Sequence, residues 1–523
     1  MAMIGQSRRS GRVRCDRRSA ARSGLRSGLR ASLGAFGRRL ACLAVLVPAV
    51  LAADAAQSAM LTNVGPRVPT NIGPRGPIVD SVGPRFDPTF RTPPGGGGGQ
   101  NGGAGGPNAG GSNAGGSNAG NSGGSGEGKS HVTTRRARSG VPPGNERRYI
   151  PDEIVAELRV SDRQLTNLLN RFRLALLETR RIPLINTTFY RLRILDGSTV
   201  PAKIRALEGD GSVRTAQPNY LFAMVQAEQV SVQAGVPAAD SADAAQYAIA
   251  KLRLGEAHTL ARGDKVLVAV IDSGVDLTHP ILAGSVEKSF DALSSNEGPH
   301  SHGTAIAGII AGHARLTGAA PAVHILAARA FSTNEGSTVS IIASLDWATA
   351  QGARVVNMSF AGPSDPALGR ALVAAHQKGV VLVAAAGNAG PKSAPLWPAA
   401  DSHVIAVTAT DYADRLFAQA NRGSHVAIAA PGVDIMVAQP GDGYKMESGT
   451  SFSAAFVSGV AALVIERRPD LAPDAVKKLL LATARDLGPK GRDDQFGAGL
   501  MDAFQAVSAT GKATDAALQV PAH

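Results

Sequence analysis

The sequence predicts an α/β protein: a parallel sheet with helices on both faces, preceded by a small α+β domain and a disordered glycine-rich N-terminal region. Three observations carry that expectation. The runs 265–271, 380–386 and 404–408 are largely continuous apolar stretches that alternate with helical segments, as strands covered on both faces do. Upstream, strand-like and helix-like segments alternate between 149 and 225. Before these, 18 of the 34 residues in 95–128 are glycine.

In chain order, the first element is a leader. Of 523 residues, 54 are Lys or Arg and 41 are Asp or Glu, a formal charge of +13. Residues 1–50 hold eleven Arg and one Asp, leaving only +3 downstream. The basicity therefore belongs to the leader, and no nucleic-acid partner is expected. Cys15 and Cys42 also lie there, so a chain without the leader can form no disulfide, thiolate metal site or cysteine nucleophile. After Arg38-Arg39 comes an apolar run over 40–53, and Ala53-Asp54-Ala55 offers a cleavage site before Ala56. Basic, apolar and small-residue zones in that order describe a secretory signal over 1–55, with an uncleaved anchor or a downstream start as alternatives. The expected location is secreted, periplasmic or in the cell envelope.

Residues 56–148 read as a linker with three loose Gly-Pro-Arg units, at Gly65, Gly73 and Gly83, ahead of the glycine tract. Such a segment buries too little apolar surface to offset its ordering entropy. Within it, 123–130 matches the phosphate-loop pattern G-x-x-x-x-G-K-S. A phosphate cradle needs a preceding strand and a following helix. Neither is in place here, so nucleotide binding is not expected.

The small domain, 149–225, reads as a strand over 154–158, a helix over 162–177, a strand over 188–195, a helix over 200–207 and a last strand ending near Tyr220. Leu165, Leu168, Leu169, Phe172 and Leu176 share one face of the first helix. This β-α-β-α-β order suggests a small sandwich nearest to the ferredoxin-like plan.

The large domain, 240–510, carries the chemistry, and 511–523 forms a tail. Ligands of parallel α/β sheets gather beyond the carboxyl ends of the strands. Asp272 ends the first apolar run, and Asn388 follows the second within Ala386-Gly387-Asn388. His302-Gly303-Thr304 and Gly449-Thr450-Ser451 each open a helical stretch. Helix N-termini favour negative charge, and neighbouring glycines let a substrate backbone approach. These types suit acyl transfer. His302 would take the Ser451 proton and Asp272 would orient His302. The Asn388 amide and the Ser451 N–H would bind the oxyanion.

Five motifs, Val270-Ile271-Asp272-Ser273-Gly274, His302-Gly303-Thr304, Val356-Asn357-Met358-Ser359, Ala386-Gly387-Asn388 and Gly449-Thr450-Ser451, together resemble the subtilases, the subtilisin-like serine proteases. Their Asp-His-Ser order is that of subtilisin, at intervals of 30, 86 and 63 residues. The resemblance covers about 246–507 and implies a subtilisin-like parallel sheet and a serine endopeptidase acting on polypeptides as a monomer. It reads the small domain as a propeptide, both folding chaperone and intramolecular inhibitor, with Ala216-Gln217-Pro218-Asn219-Tyr220 near its end. Cleavage would then fall between about Phe222 and Ala245, a bond the sequence does not reveal. It also implies that Ser359, Phe360, Ala361 and Gly362 pair with substrate as an added strand, and that Ala385, Ala386 and Gly387 wall the pocket for the residue before the scissile bond.

The sequence departs from the family pattern in places. Phe452-Ser453-Ala454-Ala455-Phe456 stands where a Met-Ala-x-Pro-His run is usual, and Ala305 replaces a common histidine. No organic cofactor is expected. The family's frequent calcium site is expected to be missing, because Ile281 replaces a usual ligand Asp and 311–321 contains no Asp or Asn. A weaker calcium site elsewhere stays open.

Taken singly, Asp272 or Ser451 could be an ordinary turn or cap residue; the ordered set is what points to catalysis. His258, His279, His313, His324, His376 and His403 gain nothing from it and read as surface or packing residues. A surface-tethered binding protein with an inactive peptidase domain is a rival suggested by the glycine tract and the changes after Ser451. A sedolisin-type acid peptidase is another, but it uses Glu and Asp where this chain has His302 and Asn388.

Overall fold

The computed structural model describes residues 139–225 and 246–511. The leader, the linker through 138, its phosphate-loop-like run and the tail beyond 511 lie outside the described residues.

The first part is a βαββαβ unit of β1 (Tyr149–Leu158), α1 (Asp162–Phe172), β2 (Leu174–Ile182), β3 (Thr187–Ile194), α2 (Val200–Glu208) and β4 (Val213–Met224). Antiparallel pairing orders its strands β2-β3-β1-β4, the ferredoxin-like plan. It holds one more strand than the sequence pattern suggested, and the helix expected over 162–177 is shorter. Arg173 turns left-handed at φ 52 and its N–H closes on the carbonyls of Leu169 and Asn170, ending α1 at Phe172. Leu174 then opens β2, which zips against β3 from Leu174↔Ile194 to Ile182↔Thr187. Leu176 only continued the helical spacing by chance and lies exposed on that strand. The core between sheet and helices is Ile154, Ala156, Leu168, Leu192, Ile204 and Leu207.

The second part begins with α3 (Tyr247–Lys251), α4 (Leu254–Ala257), β5 (Leu267–Asp272), β6 (Val286–Asp291), α5 (Ser301–Ala311), β7 (His324–Arg329), β8 (Phe331–Ser332) and β9 (Glu335–Ser337). There follow α6 (Thr338–Ala350), β10 (Val355–Met358), β11 (Phe360–Ala361), α7 (Pro366–Gln377), β12 (Val381–Ala385), β13 (Val404–Thr410) and β14 (Val426–Pro431). The hairpin β15 (Ile435–Gln439) and β16 (Gly443–Glu447) leads to α8 (Thr450–Arg467), α9 (Pro473–Ala482) and α10 (Ala503–Ala509).

Seven strands form one parallel sheet in the order β14-β13-β12-β10-β5-β7-β6. Its two faces bury alternate residues. Val268, Val270 and Val383 join the core under α5 and α8, whereas Ala269, Ile271 and Leu382 join the core under α6 and α7. The apolar strand runs are thereby explained. Helix α8 is long and apolar enough to cross a bilayer, but 89% of it is buried; it is the central helix of this core.

Strand β4 joins the two parts. Beyond the small sheet its end lies between two short strands of the large part, pairing Leu221↔Ser337 and Phe222↔Gly336 with β9, and Ala223↔Ala361 and Met224↔Phe360 with β11. Beside it, Gln217 Nε2 donates to Asp365 Oδ1 at 2.7 Å and its Oε1 accepts from Ala367 N at 3.1 Å, at the N-terminus of α7. Burial pushes the Asp365 carboxyl up, against hydrogen bonds from Thr338, Gln217, Leu368 and Ala367. The Tyr220 N–H donates to Thr338 Oγ1 at 3.0 Å, at the start of α6.

Ile204 is fully buried between α2 and the small sheet. Ile204→Ala is expected to destabilise the small domain by about 2–5 kcal/mol, read from the urea midpoint of the uncleaved chain.

Candidate active site

Strand β5 ends on Asp272 at the carboxyl edge of the sheet, 1% exposed. Its Oδ1 accepts from Ser273 N at 2.8 Å and from His302 Nδ1 at 2.8 Å. His302 lies in the first turn of α5, whose close approach to β5 depends on the next residue. A Cβ on Gly303 would sit 2.8 Å from the Ser273 carbonyl oxygen. With Nδ1 committed to a carboxylate, which only accepts, the free nitrogen is Nε2. It is buried without a hydrogen-bond partner among the described residues.

Ser451 is the second residue of α8 and fully buried. Its N–H is one of the first-turn donors that a helix leaves without an intrahelical acceptor. The Phe452 ring lies against His302, with centroids 6.1 Å apart, which brings α5 and α8 together at this point. Ala455 continues α8 without a break, so the loss of the family's usual proline there leaves the helix regular.

Asn388 follows β12 in the loop that begins at Gly387. Its Oδ1 accepts from Thr450 N at 3.1 Å and from Thr450 Oγ1 at 2.9 Å. Because a backbone N–H can only donate, the atom facing it must be the amide oxygen. Nδ2 is left as a buried donor without a partner among the described residues. A Cβ on Gly449 would lie 3.0 Å from that Nδ2 and 3.4 Å from the Val225 carbonyl oxygen, so both border the same small space. The loop is braced by Asn421, whose Oδ1 accepts from Ala389 N at 2.9 Å. Gly387 has φ +112, and a Cβ there would be 2.6 Å from Asn421 Nδ2; only glycine suits both conditions.

Ser451 does not hydrogen-bond to His302 in this conformation. Its Oγ donates to the Val225 carbonyl at 2.6 Å and lies 3.3 Å from the Ser359 carbonyl. The Val225 N–H donates to the Ser359 carbonyl at 3.2 Å. The end of the small domain thus lies along Ser359, Phe360 and Ala361, where the sequence resemblance implied a peptide strand. Gly362 meets the Phe222 ring, where a Cβ would be 2.3 Å from a ring carbon. Phe222 packs edge-on to Phe360 at 6.0 Å. Ala385 and Ala386 are fully buried at the end of β12, and Gly387 N donates to Thr450 Oγ1 at 3.2 Å.

Three residues at the site escaped sequence reasoning: Asn421, Thr450 as the clamp on Asn388, and His300. For His300 a signal was visible, a second histidine two residues before His302. Its Nδ1 lies 2.9 Å from Ser273 Oγ.

An Asp–His pair, a serine at a helix N-terminus and an amide donor on a parallel α/β sheet are the groups that nucleophilic acyl transfer requires. The model of the subtilase family matches residues 263–499, and that of the fervidolysin N-terminal prodomain matches residues 135–219. The chain is 37% identical over 284 residues to the thermophilic serine proteinase of Bacillus sp. (strain AK1), covering 52% of this chain and 68% of that one. It is 37% identical over 228 residues to thermitase of Thermoactinomyces vulgaris, covering 42% of this chain and 81% of that one. The crystal structure of fervidolysin from Fervidobacterium pennivorans, described as a keratinolytic enzyme related to subtilisin, superposes with a TM-score of 0.58 at 26% identity, over 69% of this chain and 61% of that one. This chain belongs to the subtilase family. It is a subtilisin-like serine endopeptidase with an N-terminal prodomain.

Thr450→Val removes the hydroxyl that fixes the Asn388 amide. It is expected to lower kcat by about 3–30-fold with little change in KM, through loss of the hydrogen bonds to Asn388 Oδ1 and from Gly387 N, read from steady-state hydrolysis of a peptide substrate.

Proposed function

We propose that the chain is an exported serine endopeptidase made as a zymogen, acting as a monomer on polypeptides through an acyl-enzyme on Ser451. Its prodomain inhibits it in cis until the bond after Val225 is cut. The observation that carries this reading is the seat of Val225: carbonyl oxygen 2.6 Å from Ser451 Oγ, N–H on the Ser359 carbonyl.

In the first step His302 Nε2 takes the Ser451 hydroxyl proton as Oγ bonds to the Val225 carbonyl carbon. This requires Oγ to turn from the carbonyl oxygen toward the bare Nε2, a small adjustment of the kind that resting active sites commonly need. Asp272 holds the ring in the tautomer with its proton on Nδ1 and stabilises the imidazolium. Negative charge moves onto the Val225 oxygen, where Asn388 Nδ2 and the Ser451 N–H would donate to it. The tetrahedral intermediate collapses, His302 gives its proton to the leaving amine of Gln226, and the acyl-enzyme remains. Water then attacks it with His302 again as base. Other polypeptides would follow by pairing with β9 and β11 as β4 does, with Ala385, Ala386 and Gly387 walling the pocket.

No organic cofactor enters these steps, and nucleic acid has no place in them. Where the family resemblance implies calcium, the residues present do not fit a cation. Ile281 is fully buried in the apolar core, where the family's usual ligand would offer a carboxylate. Export is supported by the basic, apolar and small-residue zones of 1–55.

Full-length wild type is expected to yield a fragment whose N-terminus reads Gln226, and Ser451→Ala is expected to stay uncleaved and inert on casein. Mass spectrometry and N-terminal sequencing check both. A Ser451→Ala chain that matures and digests casein would remove the nucleophile assignment, and a first cut elsewhere would remove the bond assignment. Asn388→Ala should lower kcat by about 10²–10³ with KM little changed, the magnitude established for the equivalent loss in subtilisin; an unchanged kcat places the oxyanion donor elsewhere.

A further inference from the structure

His300 is built into the site more firmly than a surface residue needs to be. Its N–H donates to the Gly274 carbonyl at 2.8 Å. Its ring caps α5, Nδ1 accepting from His302 N at 3.3 Å. Since that backbone N–H can only donate, the neutral ring must carry its hydrogen on Nε2. The same Nδ1 lies 2.9 Å from Ser273 Oγ. That hydroxyl already accepts from Gly303 N at 3.1 Å and has a second acceptor in reach, Asp272 Oδ1 at 3.2 Å. One hydroxyl hydrogen therefore has two destinations, the His300 ring or the carboxylate that holds His302.

We propose that His300 is a positioning residue that couples solvent pH to the His302 base through the Ser273 hydroxyl. This rests on the Asp272–His302–Ser451 reading. When His300 is neutral, its Nδ1 takes the Ser273 hydrogen, and Asp272 Oδ1 is left to the Ser273 N–H and His302. A proton from solvent adds to His300 Nδ1 and turns it from acceptor to donor. Ser273 Oγ must then accept from the ring and send its own hydrogen to Asp272 Oδ1. The carboxylate is drawn away from His302, the His302 N–H loses its cap, and a new positive charge faces the catalytic ring. All three effects act against a working base.

The groups facing His300 come from four elements: Asp272 on β5, His302 on α5, Arg329 on β7 and Lys445 on β16. Burial holds the His300 ring below the ordinary histidine range; Asp272 opposes this, while His302, Arg329 and Lys445 reinforce it. The neutral, permissive form is therefore the one present near neutrality, and the inhibitory form appears on the acid side.

The test is the acid limb of kcat/KM for a small peptide anilide, taken from initial rates after dilution of the processed enzyme from neutral stock. Each profile, from about pH 4 to about pH 9, is normalised to its own plateau. His300→Asn keeps a capping acceptor but cannot titrate, and Ser273→Ala removes the hydroxyl and leaves His300 in place. Wild type is expected to fall with a slope approaching about two protons, and both variants with a slope of about one. A His300→Asn profile that superimposes on wild type overturns the proposal. A Ser273→Ala profile that keeps the two-proton limb overturns the hydroxyl route. Failure of the underlying triad is separate: Ser451→Ala would then still hydrolyse the anilide, whatever the shape of the His300→Asn limb.

Discussion

Strand β4 belongs to two sheets, and that shared pairing is the constraint from which the rest follows. Its first half completes the ferredoxin-like sheet beside β1; its second half is held on both edges by β9 and β11. Strand pairing fixes residues in steps of two per face, so a slip of one residue would turn Phe222 out of its place against Phe360 and Gly362. Register is thereby set from both sides, and with it the carbonyl that meets Ser451. The Gln217 clamp on the N-terminus of α7 and the Tyr220 bond to Thr338 reinforce the same register from outside the strand.

In the proposed reading, a tail seated this way is at once substrate and inhibitor. Its backbone makes the contacts expected of a peptide about to be cut, yet the Ser451 hydroxyl is spent on the carbonyl oxygen while His302 Nε2 stays bare. Escape from this state depends on more than cutting one bond. The small domain keeps Glu157 paired with Arg370 of α7, and the Leu184 N–H donates to Asp346 Oδ1 at 2.7 Å. These contacts do not involve the tail.

The site was more legible in the sequence than the small domain was. Asp272, His302, Asn388 and Ser451 announce themselves because each breaks a local pattern: a charge ending an apolar run, a polar residue after one, or a polar residue opening an apolar helix near a glycine. Periodicity was a poorer guide where two states compete. Leu176 continues the apolar spacing of α1, and nothing in that spacing reveals that Arg173 turns left-handed or that β3 stands ready as a partner; tertiary pairing overrode it. The scissile bond was illegible for a related reason. The proposed bond is set by the register of β4 against β9 and β11, which are three and two residues long and too short for any pattern to register. His300 and Asn421 act through other residues, and a sequence shows a residue's type without its neighbours.

Buried polar atoms without partners cost about 1–3 kcal/mol each and are scarce in folded cores. Three of those in this protein are Asp272 Oδ2, His302 Nε2 and Asn388 Nδ2, placed at the end of β5, the first turn of α5 and the loop after β12. Packing would dispose of such atoms by pairing them, and the surroundings come close: the other oxygen of Asp272, the other nitrogen of His302 and the oxygen of Asn388 are all bonded. The pairing is selective. Each side chain is fixed by one polar atom and left open at the other, which makes it rigid without spending its reactive end. In the proposed reaction His302 Nε2 gains a partner when the Ser451 proton moves, and Asn388 Nδ2 when charge appears on the carbonyl oxygen. The energy withheld in the resting state is thus returned where the proposed reaction is hardest, which is the differential binding that catalysis requires.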